Sequence, residues 1–95
     1  MPWFVVEQRY VDQQRRTEVR ATHLEYLRGL AADGRVVAAG PWVAGTGSLI
    51  VYEAPDEMAV RAMLAADPYT TGGVTELVSL REWNPVIQRP SSDSY

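Results

Sequence analysis

Apolar and polar positions follow two rhythms along this chain, and the points where one gives way to the other mark its elements. Residues 3 to 9, Trp-Phe-Val-Val-Glu-Gln-Arg, are aromatic and β-branched before turning polar, which predicts a strand. Tyr10 to Gln14 reads as a polar connection. From Arg15 the rhythm changes. Val19, His23, Tyr26, Leu27 and Leu30 recur at helical spacing, while Arg15, Arg16, Glu18, Glu25 and Arg28 fall on other faces, so an amphipathic helix is expected. Gly34 supplies the left-handed residue common just past a helix C-terminus.

Arg35 to Trp42, "RVVAAGPW", predicts a second strand closing on Gly-Pro, and Gly45-Thr46-Gly47 is turn chemistry. Ser48 to Glu53 is a third strand, near enough in sequence to pair with the second as a hairpin. A second helix opens at Pro55-Asp56-Glu57, with Asp56 as N-cap and Glu57 placed for the helix dipole. Val60, Met63 and Leu64 form its apolar face. It stops within "AADPYTTGGV", because Pro68 pushes Asp67 out of helical geometry. Thr75 to Trp83 is the fourth strand, 84–87 reads as an arm extending it, and 88–95 as a polar tail.

The order βαββαβ predicts an α+β, ferredoxin-like domain over 1–87, a four-stranded antiparallel sheet with both helices on one face. Strand side chains alternate between faces. That sets Leu49 and Val51 against Ile50 and Tyr52, Trp3 and Val5 against Phe4 and Val6, and Leu77 and Trp83 against Val78 and Leu80. Both sheet faces then carry large apolar groups while the helices cover one. A homodimer packed sheet to sheet is the expected remedy.

Composition narrows the function. Ninety-five residues make one domain, and the absence of cysteine removes disulfides, thiol chemistry and thiolate metal sites. The net charge of −3 comes without a basic block, which argues against a nucleic-acid surface. All nine basic residues are Arg, so lysine Schiff-base chemistry is excluded. No apolar run approaches the ~20 residues that span a bilayer. The N-terminus lacks a basic region and meets a charge at Glu7, so no secretory signal is expected and a cytoplasmic location is the default.

His23 is the only histidine. In line with Val19, Tyr26, Leu27 and Leu30, it reads either as a core histidine or as a general acid or base titrating near neutrality. Asp67 before Pro68 is either turn chemistry or a partner for that imidazole. In a split βαβ domain the helices lie side by side, so the end of one can reach the middle of the other. If Asp67 meets His23, the carboxylate fixes the ring's tautomer and favours its protonated form, a dyad suited to proton transfer. Arg16 and Arg20, on the same side of the helix, then present positive charge to an anionic ligand. Trp42, Tyr26 and Tyr69 either line an apolar pocket for it or serve ordinary packing. One histidine and no cysteine leave no metal site to expect.

Three segments together resemble the YciI-like proteins over residues 3 to about 87: R-x-x-H at Arg20 and His23; G-R-x-x-x-x-G-P at Gly34, Arg35, Gly40 and Pro41; and A-D-P-Y from Ala66 to Tyr69. The resemblance implies a dimeric ferredoxin-like fold of the muconolactone-isomerase type, with a cleft whose candidate catalytic pair is His23 and Asp67. It also implies kinship with small enzymes that isomerise ring-derived acids or eliminate groups from them. The expected activity is therefore that of a cofactor-free lyase or isomerase acting on a small acidic cyclic or enolisable metabolite. Arg20, Tyr69, Trp42 and Tyr26 are its expected substrate contacts. The alternative is a non-catalytic dimer, or higher oligomer, that binds a ligand or serves a partner enzyme.

Overall fold

The structure is a computed structural model, described here for residues 1–90. β1 (Trp3–Tyr10), α1 (Gln13–Ala32), β2 (Val36–Pro41), β3 (Gly47–Glu53), α2 (Glu57–Ala66), α3 (Pro68–Thr71) and β4 (Thr75–Trp83) follow in that order. The strands form one sheet in the order β2-β3-β1-β4, every neighbouring pair antiparallel. This is the expected α+β βαββαβ architecture, with a short third helix added. Of the polar tail expected over 88–95, residues 91–95 lie outside the described residues, and 84–90 form no regular element.

Local chemistry accounts for the element ends. Asp12 caps α1 by accepting from the Arg15 amide at 2.9 Å, so the helix begins two residues before the apolar rhythm does. At its other end Gly34 takes φ 76°, while Arg35 N–H reaches Leu30 O at 2.8 Å and Gly34 N–H reaches Ala31 O at 3.1 Å. That pairing satisfies the last carbonyls of the helix. Asp56 caps α2 through the Ala59 amide at 2.8 Å.

The core lies between the helices and one face of the sheet. Phe4, Val6, Ile50, Tyr52 and Val36 point inward from the strands and meet Leu27 of α1 with Val60, Met63 and Leu64 of α2. Val6, Ile50 and Val60 are essentially inaccessible to solvent, and each full burial is worth about 1.5–3 kcal/mol. The other face stays open. Val5 pairs with both Val51 and Arg81, and Trp3 with both Glu53 and Trp83. Val5, Leu49, Val51 and Trp83 floor a shallow apolar groove there.

One expected alternation is overturned. A register shift between Glu7 and Gln8 pairs Gln8 with Leu77 and Glu7 with Ser79, leaving Val78 as an extra, exposed residue. Because a bulge inserts one residue, Leu77 and Leu80 both join the helix-covered face with Gln8 and Val6. Leu77 therefore does not share a face with Trp83.

Candidate functional site

The site is built where α1, the α2–α3 junction and the end of β1 converge. His23 sits midway along α1, one turn before Leu27, and both face the sheet. Asp67 ends α2 with φ −66° and ψ 128°, the extended geometry that a following proline imposes. Pro68 then opens α3 at the helix position proline favours. Asp67 therefore closes one helix and caps the next.

A single carboxylate oxygen does two jobs. Asp67 Oδ1 accepts from the Tyr69 amide at 2.9 Å and lies 2.7 Å from His23 Nδ1. Asp67 has no exposed surface and His23 is 8% exposed, so the pair is closed off from bulk solvent. With Nδ1 assigned as the donor to the carboxylate, Nε2 is the ring nitrogen left for other chemistry. The Tyr69 ring stacks on the imidazole, centroids 3.6 Å apart and 3° from parallel. Tyr10 meets Tyr69 edge-on at 6.0 Å, and the Arg16 guanidinium lies over Tyr10, 4.0 Å from its centroid. Arg16 is steadied further by Gln13 Oε1 at 3.2 Å.

His23, Arg16, Arg20, Tyr10 and Tyr69 wall one side of a hollow of about 50 Å³, with Leu27, Ile50 and Pro41 on the apolar side. Arg20 joins no ion pair among the described residues. Burial raises the pKa of Tyr69, and the Arg16 guanidinium beside it works against that shift. Tyr52 and Tyr26, behind the pair, also have raised pKa values, first through burial and then through the Asp67 carboxylate.

Not every residue read as a ligand contact lines this hollow. Asp67 stands behind His23. Tyr26 points away, its hydroxyl donating to Met63 O at 2.7 Å, and borders a separate surface groove with Glu25 and Asp33. Trp42 lies on the β2–β3 loop, 43% exposed and outside the lining. Tyr10 was not singled out from the sequence. Its signal was its place at the end of β1, immediately before the turn into α1. Among the described residues no three His, Cys, Asp or Glu side chains cluster as metal ligands, and no helix is long and apolar enough to cross a membrane.

The family model described as the YCII-related domain matches residues 1–84. Protein YciI of Escherichia coli O6:H1 is 36% identical over 84 residues, spanning 78% of this chain and 86% of that protein. Protein YciI of Shigella flexneri gives the same figures. Among solved structures, 5-chloro-2-hydroxyhydroquinone dehydrochlorinase (TftG) from Burkholderia phenoliruptrix AC1100, in complex with 2,5-dihydroxybenzoquinone, superposes with a TM-score of 0.75. It is 24% identical, and the match covers 88% of this chain and 94% of that one.

Proposed function

We propose that this chain, which belongs to the YCII-related domain family, is a cofactor-free lyase or isomerase in which His23 moves a proton on a small, acidic, cyclic or enolisable molecule. The observation that carries the reading is the 2.7 Å contact between His23 Nδ1 and Asp67 Oδ1, made where the histidine borders a hollow flanked by Arg16 and Arg20. The fold neighbour's dehydrochlorinase chemistry, an elimination, is of the same kind.

His23 Nε2 takes a proton from an acidic carbon, and the C–H electron pair moves into the conjugated carbonyl of the substrate. Arg20 faces the oxyanion so formed. Asp67 holds the Nδ1 proton and stabilises the imidazolium. Isomerisation follows if the proton returns at another carbon. Elimination follows if a neighbouring leaving group departs with its electron pair and the proton passes to water. A positioned acid/base supplies about 10²–10⁴ in rate, so the carbon must already be acidic. A cavity that holds benzene measures about 150 Å³, larger than the 50 Å³ here. A ring therefore sits at the mouth and presents its reacting edge to His23. Tyr69 and Tyr10 flank that edge.

The open sheet face supports a homodimer formed through Val5, Leu49, Val51 and Trp83, a groove whose floor is apolar and ringed by Arg81 and Glu82. A non-catalytic, ligand-binding reading draws on one observation: the parallel stack on Tyr69, which holds His23 as a packed core ring. Exchange of ring C–H for deuterium separates the two. In D2O, between about pH 6 and 9, the wild type should accelerate exchange in a panel of small ring acids that includes 2,5-dihydroxybenzoquinone, and His23→Gln should lose about 10²-fold or more of that acceleration. Binding without any acceleration across the panel defeats the enzyme reading.

A further inference from the structure

Asp67 has a second oxygen, and its surroundings point to a residue the pair depends on. Asp67 Oδ2 is buried and makes no hydrogen bond within the described residues; the same is true of the Tyr52 hydroxyl. Asp67 and Tyr52 are each 0% exposed. One group is a carboxylate acceptor and the other an O–H donor. Leaving either buried and unpaired costs about 1–3 kcal/mol, more for the charged one. Both belong to one neighbourhood. Tyr52 points inward from β3 into the cluster that holds Leu27 and Leu64. His23 lies one turn before Leu27, and the Asp67 amide donates to Leu64 O at 3.1 Å. Ile50, next inward on β3, lines the hollow beside His23.

We infer that Tyr52 is a positioning residue for the His23–Asp67 pair: its hydroxyl proton is turned toward Asp67 Oδ2 and, through one bridging water, supplies the hydrogen bond that oxygen lacks. A single water needs little room and several polar partners, and these two groups provide two of them. The Asp67 carboxylate then holds three donors in fixed directions: Tyr69 N–H and His23 Nδ1–H on Oδ1, and the water on Oδ2. Rotation about its Cβ–Cγ bond is locked, and the imidazole is aimed into the hollow. The inference deepens the reading of His23 as the proton carrier, but it rests on the pair's geometry and is tested without turnover.

The groups around His23 are Asp67 from the α2–α3 junction, Tyr69 from α3, Arg16 and Arg20 from its own helix and Tyr10 from β1, with Tyr52 of β3 and Tyr26 of α1 acting on Asp67 from behind; β2 offers only Ala39, Gly40 and Pro41. Removing the Tyr52 donor withdraws a positive dipole end from Asp67 and makes the potential at the ring more negative. In Tyr52→Phe the NMR titration of the His23 ring protons should therefore move to higher pH, about threefold in proton-binding constant. Site-specific replacement of Tyr52 by 3-fluorotyrosine keeps the shape and strengthens the donor, so the titration should move to lower pH. A tyrosine that merely fills space leaves the midpoint unmoved in both. No shift in the fluorinated protein, or shifts of the same sign in both, overturns the inference. The fluorinated protein decides the matter if Tyr52→Phe fails to fold. Loss of deuterium exchange activity alone leaves these shifts in place, so failure here and failure of the proposed function are told apart.

Discussion

Removing the Asp67 carboxylate should cost more stability than the size of the side chain suggests. In Asp67→Ala, two donors lose their shared acceptor: His23 Nδ1 at 2.7 Å and the Tyr69 amide at 2.9 Å. Hydrogen bonds to a charged group are worth about 1.5–3 kcal/mol each, so the gross loss is about 3–6 kcal/mol. Part of it is offset because a carboxylate no longer has to be kept out of water. Breaking one side of a buried pair costs about 3–5 kcal/mol, and we expect the net loss in that range. For a domain this small each kilocalorie lowers Tm by about 4–8 °C, which makes a fall of at least about 12 °C. Asp67→Asn keeps the shape and one acceptor and should cost about 1–2 kcal/mol. The assay is urea unfolding at one fixed protein concentration, since an associating chain gains stability by mass action. A cycle with His23→Ala separates the pair from the α3 cap: the double variant should be less destabilised than the sum of the singles by at least about 1.5 kcal/mol. Coupling below about 0.5 kcal/mol, or an alanine variant as stable as the wild type, refutes the reasoning.

Three further outcomes follow. Tyr52, Tyr26 and Tyr69 all ionise above the ordinary 10.0 in the folded state, so their contribution is fully present below that pH and is lost as pH rises beyond it, where the unfolded chain ionises first. Urea midpoints should therefore be level from neutrality to about pH 9 and fall above about pH 10, with a shallower fall in Tyr52→Phe. Val51→Asp places a charge in the middle of the open apolar face; sedimentation should show a dimer for the wild type and a monomer for the variant. Gly47→Ala would drive a Cβ into the backbone carbonyl of Gln8 across the β1–β3 pair; thermal melts should show a loss of about 3 kcal/mol or more, or no folded protein.

How much of this was legible in the sequence depended on the range of the interaction. β4, the α2 cap and the Gly34 stop are each specified by residues close in sequence, and the structure has them as expected. α3 was not expected because Pro68 was read as a stop, although proline also starts helices. Asp12 was passed over within a polar connection because its cap is visible only once the Arg15 amide is placed. The bulge at Val78 is a property of the β1–β4 pairing, which no single-strand pattern records. His23 and Asp67, 44 residues apart, were brought together in advance only by assuming the βαββαβ fold. The directions of Tyr26 and Trp42 depend on helix rotation and loop path, and aromatic character alone carries neither.

The central claim is that the His23 ring is held by Asp67 through Nδ1 and offers Nε2 to a ligand. Nitrogen-15 NMR of the ring at a pH where it is neutral reads this directly. The account predicts the proton on Nδ1 and an unprotonated Nε2 whose resonance moves when a small ring acid is titrated in. A proton found on Nε2, or an Nε2 signal indifferent to every ring acid that binds, contradicts it.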